Sequence, residues 1–384
     1  MNFKSIIIIL IACILQGCKE EAKSETHSVE EAKSSVTQSV YAITSEGEEV
    51  HKYTLINIKG MQMEVITMGG AIISLTAPDK EGKYEDIVLG YTTPDLYLNG
   101  NPSYFGAIIG RYGNRVAKGK FTLEGVDYQL PVNDGVNHLH GGKGFDQRIW
   151  KAEIIAEDEP SLKLSYTSVN GEEGYPGNLN VSVIYTLTNN NALEITYEAD
   201  TDKTTIINLT QHSYFNLSGN FKTILDHSLE IKADKFLPVD STLIPTGELR
   251  TVTGRTPFDF TVAKNIGKDI DADNDQLVKG KGYDHCWIFN DTIKHMKKVA
   301  GLHHKESGRY MTVYTDQPAI QFYSGNFLDG TLESKKEGKY EKRSGLCLET
   351  QHYPDSPNQK KFPSVVLRAG EVYKTKTIYE FSIK

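Results

Sequence analysis

The chain has 384 residues, with 42 Lys and Arg against 50 Asp and Glu, giving a formal net charge of −8 with histidine neutral. An acidic total without a dense Lys/Arg cluster excludes a nucleic-acid partner, because binding a polyanion needs a basic stripe that displaces counterions. The 39% apolar and 24% charged composition is that of a globular protein and excludes a disordered chain or a multispanning membrane protein.

Lys4 precedes an apolar run over residues 6–15, too short for a retained span, and Gly17-Cys18 follows it. This pattern predicts a secretory signal over residues 1–17. Leu15-Gln16-Gly17-Cys18 resembles the bacterial lipobox, in which cleavage before the cysteine opens it to acylation, although Gln16 departs from the small or β-branched residue usual there. The resemblance implies a lipid anchor at Cys18 and a bacterial cell-envelope location on the periplasmic or surface side of the outer membrane; an ordinary signal peptide is the alternative. Residues 18–40 carry Glu, Lys, Ser and Thr with no aromatic residue, so a flexible tether is expected there. Loss of Cys13 with the signal and acylation of Cys18 leave Cys286 and Cys347, either as one disulfide or as two buried thiols.

From Tyr41 to Lys384 the pattern has period two, and one domain of mostly antiparallel β is expected. Residues 121–123 and 128–130 flank Glu124-Gly125-Val126-Asp127 as two short strands. Residues 181–187 and 192–197 form a hairpin around a turn at 188–191, and residues 310–315, 318–323 and 365–368 also read as strands. No stretch of twelve residues carries a capped 3.6-residue apolar stripe. Residues 99–115 and 355–363 read as long polar loops, the places where a β scaffold usually carries function.

Several polar clusters interrupt this pattern. Gly110-Arg111-Tyr112-Gly113-Asn114-Arg115 supplies guanidiniums, whose planar donor forks suit vicinal hydroxyls or a carboxylate. In Asn137-His138-Leu139-His140-Gly141-Gly142, two histidines two apart would face one way on a strand, but no further ligand lies near at metal spacing. His140 reads instead as a hydrogen-bonding group brought close to a ligand by the bare glycine backbone. His212 stands among apolar neighbours in residues 208–217, and Glu349 stands between Leu348 and Thr350 in a strand-like run. A strand glutamate there points either to solvent or inward, and inward it gains a raised pKa and becomes a candidate base. Asp284 and Gln321 complete the set, and each alone is ordinary strand polarity.

In this order and spacing the clusters resemble the galactose mutarotase family, also called aldose 1-epimerases, from about Tyr53 to Phe381. The matching segments are Asn114-Arg115, Leu139-His140-Gly141-Gly142, residues 208–217, Leu237-Pro238-Val239-Asp240, Ile244-Pro245-Thr246-Gly247, Tyr283-Asp284-His285, Gln321 and Glu349-Thr350-Gln351-His352-Tyr353-Pro354-Asp355. Gln211 stands where the family often has asparagine. The resemblance implies a large antiparallel β-sandwich, the galactose mutarotase-like supersandwich, with a free aldohexose such as glucose or galactose held across a concave face. It implies Glu349 as the base at the anomeric hydroxyl and His212 as the acid at the ring oxygen. Asn114, Arg115, His140, Asp284 and Gln321 would bind the sugar, with neither cofactor nor metal required. Three rivals fit parts of the pattern: an epimerase of phosphorylated hexoses, a carbohydrate-binding module, and a glycoside hydrolase or lyase using a second carboxylate at Asp284.

Overall fold

A computed structural model describes residues 33–254, 256–291 and 293–384. The expected signal peptide, Cys18 and the first part of the tether lie outside these residues.

The N-terminal part of the fold is a five-stranded antiparallel meander, Ser35–Ile43, Glu49–Ile56, Gln62–Ile66, Ile72–Pro78 and Tyr84–Asp86. Its first strand begins inside the segment expected to be a tether: Ser35 to Val40 pair with Ile56 to His51. The boundary at Tyr41 was therefore set too late. Backbone pairing with a neighbouring edge, together with the packing of Val36 on the core, fixes this mostly polar segment although it has no aromatic residue.

A nine-stranded sheet follows, and the expected hairpin forms its centre. Leu179–Leu187 pairs with Ala192–Thr201 from Leu179↔Thr201 to Leu187↔Leu193, so every second side chain faces one way. Val181, Val183, Tyr185 and Leu187 are buried while Asn180, Ser182, Ile184 and Thr186 are more exposed. The long last strand, Val372–Ile383, lies between Ala192–Thr201 and Arg309–Thr315 and ties the two halves of this sheet together.

The third large sheet has the order Arg250–Thr251, Lys235–Leu237, Asp284–Ile288, Ala319–Tyr323, Cys347–Gln351. Its Trp287, Phe322 and Leu348 enter the same apolar cluster as Val183, Tyr185 and Ile195 of the nine-stranded sheet. Burying a side chain such as Phe322 completely is worth roughly 1.5–3 kcal/mol, so this shared core fixes which face of the third sheet turns inward. The strand expected at 365–368 is only Val366–Leu367, and that at 128–130 begins earlier, as Val126–Gln129 facing Lys120–Leu123 across a Glu124-Gly125 turn. Helix among the described residues is confined to short pieces, of which Asp95–Leu98 and Asp275–Gly280 are α-helical.

Candidate active site

The strands Asp284–Ile288, Ala319–Tyr323 and Cys347–Gln351 lie side by side, and their register decides what faces the cavity. Gln321 pairs with both Cys286 and Glu349, and Tyr323 pairs with both Asp284 and Cys347. Residues paired across antiparallel strands share a face, as do residues two apart in one strand. Asp284, Gln321 and Glu349 therefore form one polar row, with Trp287, Phe322 and Leu348 behind it in the core. Cys286 and Cys347 belong to the polar face too. One strand and a two-residue offset separate them, more than the roughly 9–10 Å of two strand spacings and too far for a disulfide, and both are free and buried.

Loops bring the remaining groups over this row. One cavity is lined by Tyr104, Asn114, Arg115, His140, His212 and Glu349, with Asp284, Tyr214, Tyr323 and Phe327 around them. Gly141 has φ +82°, and a Cβ there would stand 2.0 Å from the Gly110 carbonyl oxygen. The glycine thus lets the two loops close on each other, rather than letting backbone approach a ligand as the sequence suggested. His140 itself has φ +55° and leaves the strand that holds His138. Its Nδ1 accepts a hydrogen bond from the Asn114 backbone N–H at 3.1 Å, which leaves the ring proton on Nε2. Gln211 donates to the Gly106 carbonyl at 2.7 Å and accepts from Ser213 N–H at 2.7 Å, so it pins the backbone on both sides of His212.

Arg115 donates from Nε to Asp134 at 2.7 Å, and one of its terminal nitrogens stands 3.9 Å from Asp284. Gln321 donates to Asp284 Oδ1 at 2.7 Å. At the centre, His212 Nε2 lies 3.8 Å from Glu349 Oε1. Glu349 is 2% exposed and its Oε2 is without a hydrogen-bond partner among the described residues, as is Gln321 Oε1. Buried polar atoms left in this way are what a ligand's hydroxyls satisfy. Burial pushes the Glu349 carboxyl well above the ordinary carboxylate range; nearby Asp284 adds to the rise and Arg115 opposes it. Burial likewise pulls His212 down to about 4, so the pair resists carrying charge on either member. Asp284 is also raised by burial, with Arg115 and the Gln321 hydrogen bond working against the rise.

The cavity gathers six of the seven expected site residues outside the N-terminal segment, and Gln321 joins them through its hydrogen bond to Asp284. Arg111 and His138, the other guanidinium and imidazole of their motifs, go elsewhere. Arg111 spends its guanidinium on the carbonyls of Ser168, Pro176 and Gly177. His138 is held by the Pro131 carbonyl and the Tyr175 hydroxyl. Although sequence spacing suggested no metal ligands around His140, the fold brings donor atoms of His140, His212 and Glu349 within 4.8 Å of one another. Yet the free nitrogen of His140 carries its proton and has no lone pair to offer, so this trio does not fit a cation in its present tautomer.

The abundance of tyrosine suits an aromatic-lined sugar face, but the sequence assigned it to no particular residue. Tyr104 lies against His140 and His212 with ring centroids 4.7 and 5.7 Å away, and Tyr214 lies 5.2 Å from His212. Phe327, half exposed at the mouth, stacks on Tyr323. Tyr104 and Tyr214 belong to segments already singled out, and a tyrosine inside a candidate functional loop was the available signal. Asp134, which fixes Arg115, gave none.

Known proteins resemble this chain over most of its length. The aldose 1-epimerase family profile matches residues 51–380. Galactose mutarotase of Rattus norvegicus is 44% identical over 91% of this chain and 99% of its own length. Aldose 1-epimerase of Escherichia coli is 39% identical over 88% and 97%. Among solved structures, galactose 1-epimerase from Lactobacillus acidophilus superposes with a TM-score of 0.79 at 30% identity, covering 91% of this chain and 98% of that one. With its profile, its relatives and its fold in agreement, this chain belongs to the aldose 1-epimerase family.

Proposed function

We propose that the protein interconverts the α and β anomers of free aldohexoses, glucose and galactose among them, through the open-chain aldehyde. The observation that carries this reading is a buried carboxyl and a buried imidazole 3.8 Å apart, in a cavity otherwise lined by hydrogen-bonding groups and aromatic rings. Ionised Glu349 removes the proton of the C1 hydroxyl, and the freed electron pair forms the C1 carbonyl. The bond from C1 to the ring oxygen breaks toward oxygen, which takes a proton from His212 Nε2. The aldehyde then turns about C1–C2. On reclosure the new hydroxyl returns its proton to His212, attacks C1 from the other face, and the carbonyl oxygen recovers a proton from Glu349. Nothing is oxidised or reduced, and the pair ends with the one proton it began with. Arg115, His140, Asp284 and Gln321 hold the other hydroxyls and resist rotation of the ring as a whole.

Two features disfavour the rivals. Among the described residues Arg115 is the one Lys or Arg side chain lining the cavity, and it already faces Asp134 and Asp284, so a phosphate dianion would meet carboxyl groups without matching cations. Asp284 is held by Gln321 and Arg115, a binding arrangement rather than that of a free second carboxylate in hydrolysis. The lipobox-like residues 15–18 support a further part of the proposal, that the enzyme is tethered to the bacterial envelope through acylated Cys18 and acts on sugar there. Polarimetry of freshly dissolved α-glucose and α-galactose tests the activity. Sugar binding without acceleration of either equilibration would favour the carbohydrate-binding module.

A further inference from the structure

Cys347 stands two residues before Glu349 on the same face of the same strand, and its side chain is fully buried. Its Sγ lies 3.6 Å from His212 Nδ1, within reach of a hydrogen bond to sulfur. The imidazole thus stands between the thiol at Nδ1 and Glu349 at Nε2, the latter contact being 3.8 Å. The rings of Tyr104, Tyr214 and His140 close in around it at 5.7, 5.2 and 5.2 Å. We propose that Cys347 is a positioning residue whose sulfur accepts the Nδ1–H of His212, so that Nδ1 keeps its proton through the cycle and Nε2 alone exchanges one.

The chemistry of the shuttle selects this tautomer. Neutral His212 must take a proton at Nε2 when the ring recloses, so that nitrogen needs its lone pair and the ring proton must stand on Nδ1. With the opposite arrangement, thiol S–H donating to Nδ1, neutral His212 would present Nε2–H and could not receive a proton there. A carboxylate behind the imidazole would fix the same tautomer but would also stabilise the imidazolium, as in hydrolase triads. The sulfur is uncharged, since burial pushes the thiol well above its ordinary range. It therefore orients the ring while leaving the imidazolium acidic enough to give its proton to a weakly basic ring oxygen.

This inference rests on the proposed mutarotation, and the test separates the two. Full-length protein with 15N-labelled histidine is compared with Cys347→Ala and Cys347→Ser, by NMR for the His212 tautomer and by polarimetry for kcat and KM. Wild type should show neutral His212 as Nδ1–H. Cys347→Ala should populate Nε2–H and lose about tenfold in kcat with KM little changed, a modest effect because hydrogen bonds to sulfur are weak. Cys347→Ser, which keeps an acceptor, should restore most of both. Wild type found as Nε2–H, or Cys347→Ala with unchanged tautomer and kcat, overturns the proposal, and the thiol is then only filler whose loss lowers stability. A wild type that shows Nδ1–H, lost in Cys347→Ala, but accelerates neither sugar would refute the proposed function and leave the proton assignment standing.

Discussion

Replacing Glu349 by glutamine removes a base while keeping the shape of its strand. Glutamine has nearly the volume of glutamate, and the backbone ladder through Gln321↔Glu349 is untouched. The amide cannot take the C1 proton, so kcat should fall by roughly a hundred- to ten-thousand-fold, the usual share of general acid–base catalysis. That range corresponds to about 3–5 kcal/mol of barrier at about 1.4 kcal/mol per factor of ten. Stability should move the other way. Because the folded carboxyl titrates well above its ordinary value of 4.5, between those two pH values the folded chain holds a proton that the unfolded chain has released. Stability from this group is therefore fully present below pH 4.5 and is lost as pH rises through the folded value. Glu349→Gln lacks that slope, and its melting temperature at pH 8 should equal or exceed that of wild type. Polarimetry with α-galactose gives the rate, and thermal unfolding at pH 5 and pH 8 gives the control. A variant retaining more than a tenth of wild-type kcat would refute the assignment of the base. A variant that loses rate only because it unfolds at pH 8 would refute the electrostatic argument.

Catalysis needs one proton on the Glu349–His212 pair, so kcat/KM should be bell-shaped in pH. Its acidic limb should reflect His212, held at about 4, and its basic limb the raised Glu349, the two values belonging to the pair; a single-limbed profile would contradict the shared proton. Activity should survive EDTA, because His140 offers the cavity an N–H and not a lone pair; complete loss, reversed by a divalent metal, would contradict that tautomer. Wild type should incorporate labelled fatty acid and Cys18→Ser should not, and equal labelling of both would remove the anchor. A chain beginning at Tyr41 should melt a few degrees below one beginning at Lys33, since it lacks the Ser35 to Val40 pairing and the packing of Val36 on the core; equal melting would show that this edge contributes nothing.

Alternation made the hairpin at residues 179–201 legible, because its inner face is apolar and its outer face polar. Glu349 was ambiguous for a related reason. Its strand is buried on both faces, so polarity alone does not say which side is cavity and which is core. Register with Ala319–Tyr323 settles it, and register is a long-range property. Residues 35–40 misled because local composition carries no sign of the neighbouring edge that pairs with them. The role of Asp134 and the diversion of Arg111 were likewise hidden, since both depend on partners brought close only by folding, such as Arg115 for the first and Ser168, Pro176 and Gly177 for the second. Gly141, which follows His140, serves loop-to-loop closure and not ligand approach, a role that only the folded partner loop reveals.

The row Asp284, Gln321, Glu349 and the row Trp287, Phe322, Leu348 are two sides of one three-stranded ribbon. Deleting one residue anywhere in these strands would turn the ribbon inside out beyond that point, setting a carboxyl in the apolar interior and a leucine in the sugar's place. Such a lesion could not be silent, because the chain would lose its fold and its chemistry together. Removing two residues would restore the alternation and shift the site along the strand instead. The ribbon is therefore tolerant of even steps and intolerant of odd ones, and natural or engineered length changes should collect in the loops at its ends.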